Sequence, residues 1–131
     1  MARKALILHV DDDDLVAYLL KREIAGFEIV RVNDGDDAIE FLHQSGVYRD
    51  APRPDLVLLD LHMPKKDGFQ ILAVIRANPA LVTIPVAVFT TSQRPADRDR
   101  ALALGADYYI QKPSAIKDFA DLAITLAQIV T

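Results

Sequence analysis

Leu56-Val57-Leu58-Leu59-Asp60 is a run of four apolar residues that ends on a carboxylate. A continuous apolar run of this length reads as a strand buried on both faces, as in parallel sheets covered by helices. An aspartate at its carboxyl end faces the crevice in which open α/β sheets bind ligands. A carboxylate is costly to hold there unless something pairs with it or it does chemistry.

The flanking sequence repeats the pattern. Residues 5–10 read as a first strand. A helix over 13–25 follows, with aspartates in its first turn to suit the helix dipole and Gly26 ending it. Residues 27–32 form a second strand, Asn33-Asp34-Gly35 a turn, and 36–44 a helix. A longer connection over 45–54, broken by Gly46, Pro52 and Pro54, leads to the third strand at 56–60. After a loop over 63–68 come a helix at 69–77, a strand at 85–90, a helix at 95–104 closed by Gly105, and a strand at 106–111. Ser114 caps a last helix. Five strands alternating with five helices predict an α/β fold with a parallel sheet and right-handed crossovers. The whole chain, 1–131, reads as one domain.

Composition narrows the function. With 131 residues and 51% hydrophobic content, the chain can fill one core. Its net charge of −4 argues against a nucleic-acid module. The absence of cysteine excludes disulfides and thiolate metal sites. The apolar run 5–10 is too short for a secretory signal and ends in aspartates, and no stretch approaches transmembrane length. The expectation is a cytoplasmic protein without membrane contact.

In a parallel sheet the carboxyl ends of all strands lie on one edge. Asp11 and Asp12 follow the first strand, Asp60 the third, Thr90 ends the fourth and Lys112 follows the fifth. Singly, each has an ordinary reading: a helix start, a strand residue, a surface lysine, an end-of-strand carboxylate. Together they form a coherent set. Crowded carboxylates repel and call for a hard divalent cation such as Mg²⁺, which takes oxygen ligands. Lys112 is a mobile point charge for a phosphoryl oxygen, and Thr90 is a hydroxyl donor. A carboxylate can attack phosphorus to give an acyl phosphate, with metal and lysine spreading the transition-state charge.

Val10-Asp11-Asp12, Asp34-Gly35 with Ala38, Leu58-Leu59-Asp60-Leu61-His62-Met63-Pro64, Asp67-Gly68, Ile84-Pro85-Val86, Thr90, Gly105-Ala106 and Lys112-Pro113 stand in an order and spacing that resembles the receiver domain of two-component response regulators, over essentially the whole chain. The resemblance implies a flavodoxin-like doubly wound sheet of order 2-1-3-4-5. It implies that Asp60 accepts a phosphoryl group from a histidine kinase. Asp12 and Asp60 would ligate Mg²⁺, with Asp11 acting through water and the His62 backbone carbonyl completing the protein ligands. Lys112 would contact the phosphoryl group, across a Lys112-Pro113 bond expected to be cis. Thr90 would swing to the phosphoryl oxygen while Tyr109 turns inward as the aromatic switch. The chain ends at Thr131 after the fifth helix, so a stand-alone receiver without an output domain is expected. The proline-containing connection and the run 58–68 resemble the small regulators paired with bacterial phytochromes, which implies a phytochrome-type sensor kinase as partner.

Three positions depart from the ordinary pattern. Thr91 is β-branched where the family often has alanine or glycine, and is expected to narrow access and slow dephosphorylation. His62 borders the site, where it either tunes hydrolysis or is a plain surface histidine. His9, within an apolar strand, is expected to be a hydrogen-bonded core residue. The last helix carries an apolar arc wider than the roughly 100° of an ordinary surface helix, with Phe119, Leu122, Leu126 and Ile129 as candidates for a homodimer surface. Two other functions compete. One is a phosphorylation-independent scaffold, or pseudo-receiver. The other is a Mg²⁺-dependent aspartyl phosphatase of the haloacid dehalogenase type, which needs an aspartate two residues after the nucleophile, where this chain has His62. The leading reading is a signalling switch that catalyses only its own phosphorylation and dephosphorylation, and is not otherwise an enzyme.

Overall fold

The computed structural model of the chain describes residues 4–63 and 66–130. Pro64, one of the residues carrying the family resemblance, and Lys65 of the same loop lie outside the described residues. Five strands, β1 (Ala5–Val10), β2 (Phe27–Val32), β3 (Leu56–Leu59), β4 (Val86–Thr90) and β5 (Tyr108–Gln111), pair in parallel in the order β2-β1-β3-β4-β5. The connecting helices are α1 (Asp14–Glu23), α2 (Gly35–His43), α3 (Gly68–Ala77) and α4 (Pro95–Ala103), and α5 (Phe119–Val130) follows β5. This is the flavodoxin-like topology expected from the sequence.

The period of two along each strand divides the core into two layers. Leu8, Val10, Val57, Leu59, Val86 and Val88 face α2, α3 and α4. Ile7, Leu56, Leu58, Ala87 and Phe89 face α1 and α5. The central strands are covered on both sides, so β3 and β4 are buried at every position. Short polar side chains start three of the helices. Asp13 accepts from the Leu15 and Val16 amides, and Asp34 from the Asp37 amide. Asp67 and Gln70 form a reciprocal capping box that starts α3.

Three expectations at the C-terminal end are corrected. Ser114 does not cap the last helix: a short 3₁₀ turn, Ile116–Asp118, precedes α5, and Ala115 before it makes no side-chain capping bond. The Lys112–Pro113 bond is trans, as the described residues contain no cis peptide bond. The trans preference before proline is only about 0.5–1 kcal/mol, so tertiary context decides the isomer. The proposed dimer surface is largely core: Phe119, Leu122 and Leu126 are buried against α1 and the sheet, and Ile129 packs half-buried beside them. The wide apolar arc of α5 is explained by its two neighbours. Only its outer flank is open, where Ile124 is 63% exposed.

Candidate functional site

Three backbone bonds bring the chemistry to one height. The Asp11 amide donates to the Val32 carbonyl at 3.1 Å, that of Asp60 to Val10 at 3.0 Å, and that of Lys112 to Thr90 at 2.7 Å. Each is the last rung of a parallel ladder, so residues far apart in sequence emerge side by side. Carboxylate oxygens of Asp11, Asp12 and Asp60 all lie within 4.8 Å of one another. Lys112 reaches into this group, with Nζ 2.8 Å from Asp11 Oδ2 and 3.5 Å from Asp60 Oδ2. The sequence reading thus placed Asp11, Asp12, Asp60 and Lys112 together correctly.

Asp11 is saturated. Its Oδ1 accepts from the Asp13 amide at 2.9 Å. Its Oδ2 accepts from both Lys112 and His9 Nε2, the latter at 3.2 Å. His9 and Asp11 are two residues apart and so share one side of the β1 line. Burial would raise the Asp11 carboxyl, but the hydrogen bonds from His9, Lys112 and the Asp13 amide overcome it and hold the group down at about 2. Burial keeps His9 neutral by pushing its imidazole down, against the pull of Asp11. With Nε2 donating, Nδ1 is a buried acceptor without a partner among the described residues, and the ring packs edge-on to Phe89 with the two ring centroids 6.2 Å apart.

Asp60 is the opposite case. It is buried, and burial pushes its carboxyl up to about 6, further raised by the Asp11 charge and only partly offset by the more distant Lys112. Among the described residues its one backbone donor, the His62 amide, is at 3.5 Å. It is therefore a desolvated, poorly satisfied carboxylate beside a lysine, which suits a nucleophile. Gly68 presses α3 onto it: a Cβ there would stand 2.3 Å from the Asp60 carbonyl oxygen.

Thr90 is fully buried at the end of β4, and its Oγ1 accepts from the Ser92 amide at 3.1 Å. Tyr109 is half-buried and its hydroxyl donates to the Ser92 carbonyl at 3.3 Å. Thr91 is exposed at the rim. His62 is exposed, with Nε2 3.4 Å from Asp97 Oδ2. Three residues near the site escaped the sequence reading. Arg31 on β2 donates from Nε to the Asp11 carbonyl at 2.8 Å and pairs with Asp14. Ser92 sits between Thr90 and Tyr109. Asp97, in the first turn of α4, is buried and accepts from Ser92 Oγ at 2.6 Å, a bond that holds its carboxyl below the usual range. Ser92 lies two residues past Thr90, the one clue the sequence offered.

The donor set is wholly oxygen and acidic, which fits a hard cation of the Mg²⁺ type. With Asp11 occupied by its three donors, Asp12 and Asp60 are the carboxylates that would hold it. No helix among the described residues is long and apolar enough to cross a membrane.

Residues 7–123 match the family model of the response regulator receiver domain. The chain is 43% identical over 107 residues, 82% of its length and 73% of the relative's, to response regulator Rcp1 of Synechocystis. Its fold superposes with a TM-score of 0.90 on the phosphorylated cyanobacterial phytochrome response regulator RcpA, at 35% identity, covering 96% of this chain and 93% of that one. The Mn²⁺-bound form of Rcp1 gives a TM-score of 0.84 at 36% identity, over 95% and 92% of the two chains.

Proposed function

The chain belongs to the response regulator receiver family, and from that premise we propose that it is a phosphorylation-controlled switch with Asp60 as the phosphoryl acceptor. The observation that carries this is the contrast between a saturated Asp11 and an under-satisfied Asp60 sharing one lysine. An Asp60 oxygen attacks the phosphorus of a phosphohistidine. The P–N bond breaks, the P–O bond forms, and the departing imidazole takes up a proton. Lys112 is placed to shift from Asp60 to a phosphoryl oxygen as the carboxylate charge is lost. Thr90, whose Oγ1 already accepts from Ser92, keeps its own hydrogen for another phosphoryl oxygen. Asp12 and Asp60 would hold Mg²⁺, which supplies charge neutralisation for the transferring group.

The partner is a histidine kinase. The likeness to a cyanobacterial phytochrome response regulator supports a phytochrome-type sensor as that kinase. The protein acts as a cytoplasmic receiver, changing only its own phosphorylation state. The test is intact-protein mass after incubation with acetyl phosphate and Mg²⁺, beside Asp60→Asn and a metal-free control. A single phosphoryl adduct on the wild type alone, dependent on Mg²⁺, is expected. No adduct, together with no binding of beryllofluoride, would replace this reading with the pseudo-receiver scaffold.

A further inference from the structure

Asp97 is the buried carboxylate that the phosphoryl chemistry leaves unused. It belongs to α4, a helix that otherwise buries only Ala101, and an acidic residue in a first turn normally faces water. Here it is turned inward onto Ser92, whose every polar group is engaged. Ser92 Oγ donates to Asp97 Oδ2 and accepts from the Arg94 amide at 3.2 Å. The Ser92 amide donates to Thr90 Oγ1, and its carbonyl accepts from Tyr109. The same oxygen, Asp97 Oδ2, also lies 3.4 Å from Nε2 of His62, two residues past Asp60. One carboxylate therefore ties together the β3–α3 loop, the β4–α4 loop and α4.

We propose that Asp97 is a positioning residue that, by clamping Ser92, orients the Thr90 hydroxyl and the Tyr109 ring and couples both to helix α4. The Ser92 amide occupies an acceptor lone pair of Thr90 Oγ1, which points the hydroxyl hydrogen elsewhere. The Ser92 carbonyl holds Tyr109 inward. Both contacts need the Ser92 peptide at one angle, and the short bond from Ser92 Oγ to Asp97 is the side-chain hold that ties that peptide to α4. The role in phosphoryl stabilisation rests on the reading of Asp60 as acceptor; the clamp itself does not.

The test compares Asp97→Ala, Asp97→Asn and Ser92→Ala with the wild type, first in the unmodified protein. In Asp97→Ala the Ser92 amide is expected to exchange its hydrogen about tenfold faster, the loss of a hydrogen bond worth about 1–1.5 kcal/mol. In fluorotyrosine-labelled protein, the Tyr109 resonance, assigned with Tyr109→Phe, is expected to move or broaden in Asp97→Ala and Ser92→Ala. Asp97→Asn is expected to restore both signals, because its amide oxygen still accepts from Ser92 Oγ. With acetyl phosphate and Mg²⁺, Asp97→Ala is expected to shorten adduct lifetime about fivefold, again one hydrogen bond's worth, with Mg²⁺ affinity unchanged. Wild-type exchange and Tyr109 signals in Asp97→Ala would overturn the proposal. So would failure of Asp97→Asn to restore them. These two readouts precede phosphorylation, so they decide the matter even if Asp60 proves not to be the acceptor.

Discussion

The two ends of the sheet use the same ingredients to opposite effect. At the amino end, Arg76 of α3 donates from Nε to the Gly105 carbonyl at 2.8 Å and from Nη1 to the Val82 and Ile84 carbonyls, both at 3.0 Å. Its Nη2 meets Asp107 Oδ2 at 2.8 Å, and that oxygen also accepts from the Val86 amide at 2.9 Å. One cation serves one carboxylate, and the planar fork of arginine fits every acceptor around it. At the carboxyl end, one lysine serves two carboxylates. Asp11 takes the short contact and Asp60 the long one, and His9 Nδ1 is left without a partner among the described residues. At the amino end the charges are matched one to one, and at the carboxyl end one carboxylate is left poorly served.

The strongest way to break the reactive end is Lys112→Ala. Loss of one preorganised donor for transition-state charge is expected to slow phosphorylation about 10²–10³-fold, measured as the rate of adduct formation with acetyl phosphate. The corresponding cut at the amino end is Arg76→Ala, expected to cost about 3 kcal/mol of stability in urea unfolding by stripping donors from three carbonyls and a carboxylate. That variant should still accept phosphoryl at a rate near wild type at temperatures where it is folded, which keeps the two ends separable.

Asp60→Asn sharpens the contrast through pH. A carboxyl raised in the folded state from 3.8 to about 6 binds more protons folded than unfolded, so its contribution to stability is present below about pH 4 and is lost as pH rises through about 6. The neutral amide removes that loss. Asp60→Asn is therefore expected to be more stable than wild type by up to about 3 kcal/mol at pH 7.5 in the absence of metal. The gain should fall to about a third near pH 4.5 and vanish near pH 3, as read from thermal melts across that range. Equal stability at both pH values would show that Asp60 is no worse served than Asp107. The smallest effect is expected at the exposed rim. Thr91→Ala should shorten the adduct lifetime about twofold, because removing a β-branched side chain opens the approach to the acceptor. An unchanged or longer lifetime would remove Thr91 from the account.

The reactive end was legible in the sequence because parallel strands put all their carboxyl ends on one edge, so the position of a polar residue after an apolar run sufficed. Asp11, Asp12, Asp60 and Lys112 followed from that rule alone. Asp97 did not, because an aspartate in a first turn has the same pattern whether it faces water or a neighbouring loop. The placement of Phe119, Leu122 and Leu126 on an open face of α5 went wrong for a related reason. A wide apolar arc says that much surface is buried, but whether α1 or a second molecule covers the flank is a tertiary fact. Phe119, Leu122 and Leu126 fill the layer between α1 and the sheet. The proline isomer at 113 and the cap at 114 turn on energies of about 1 kcal/mol, which local sequence does not decide.

Gly68 has a consequence for chemical durability. A phosphorylated aspartate is an activated carboxyl, and the nucleophile nearest in the chain is the backbone nitrogen of the next residue, Leu61. Attack by that nitrogen on the side-chain carbonyl carbon would close a five-membered succinimide and expel phosphate, and hydrolysis of that ring gives isoaspartate as well as aspartate. Ring closure requires the Asp60–Leu61 peptide plane to turn. Gly68 rests against the Asp60 carbonyl and the Leu61 Cα, and its own amide donates to the Leu61 carbonyl at 3.0 Å. The plane is thus gripped from both ends, and the same packing that seats α3 would oppose that ring closure.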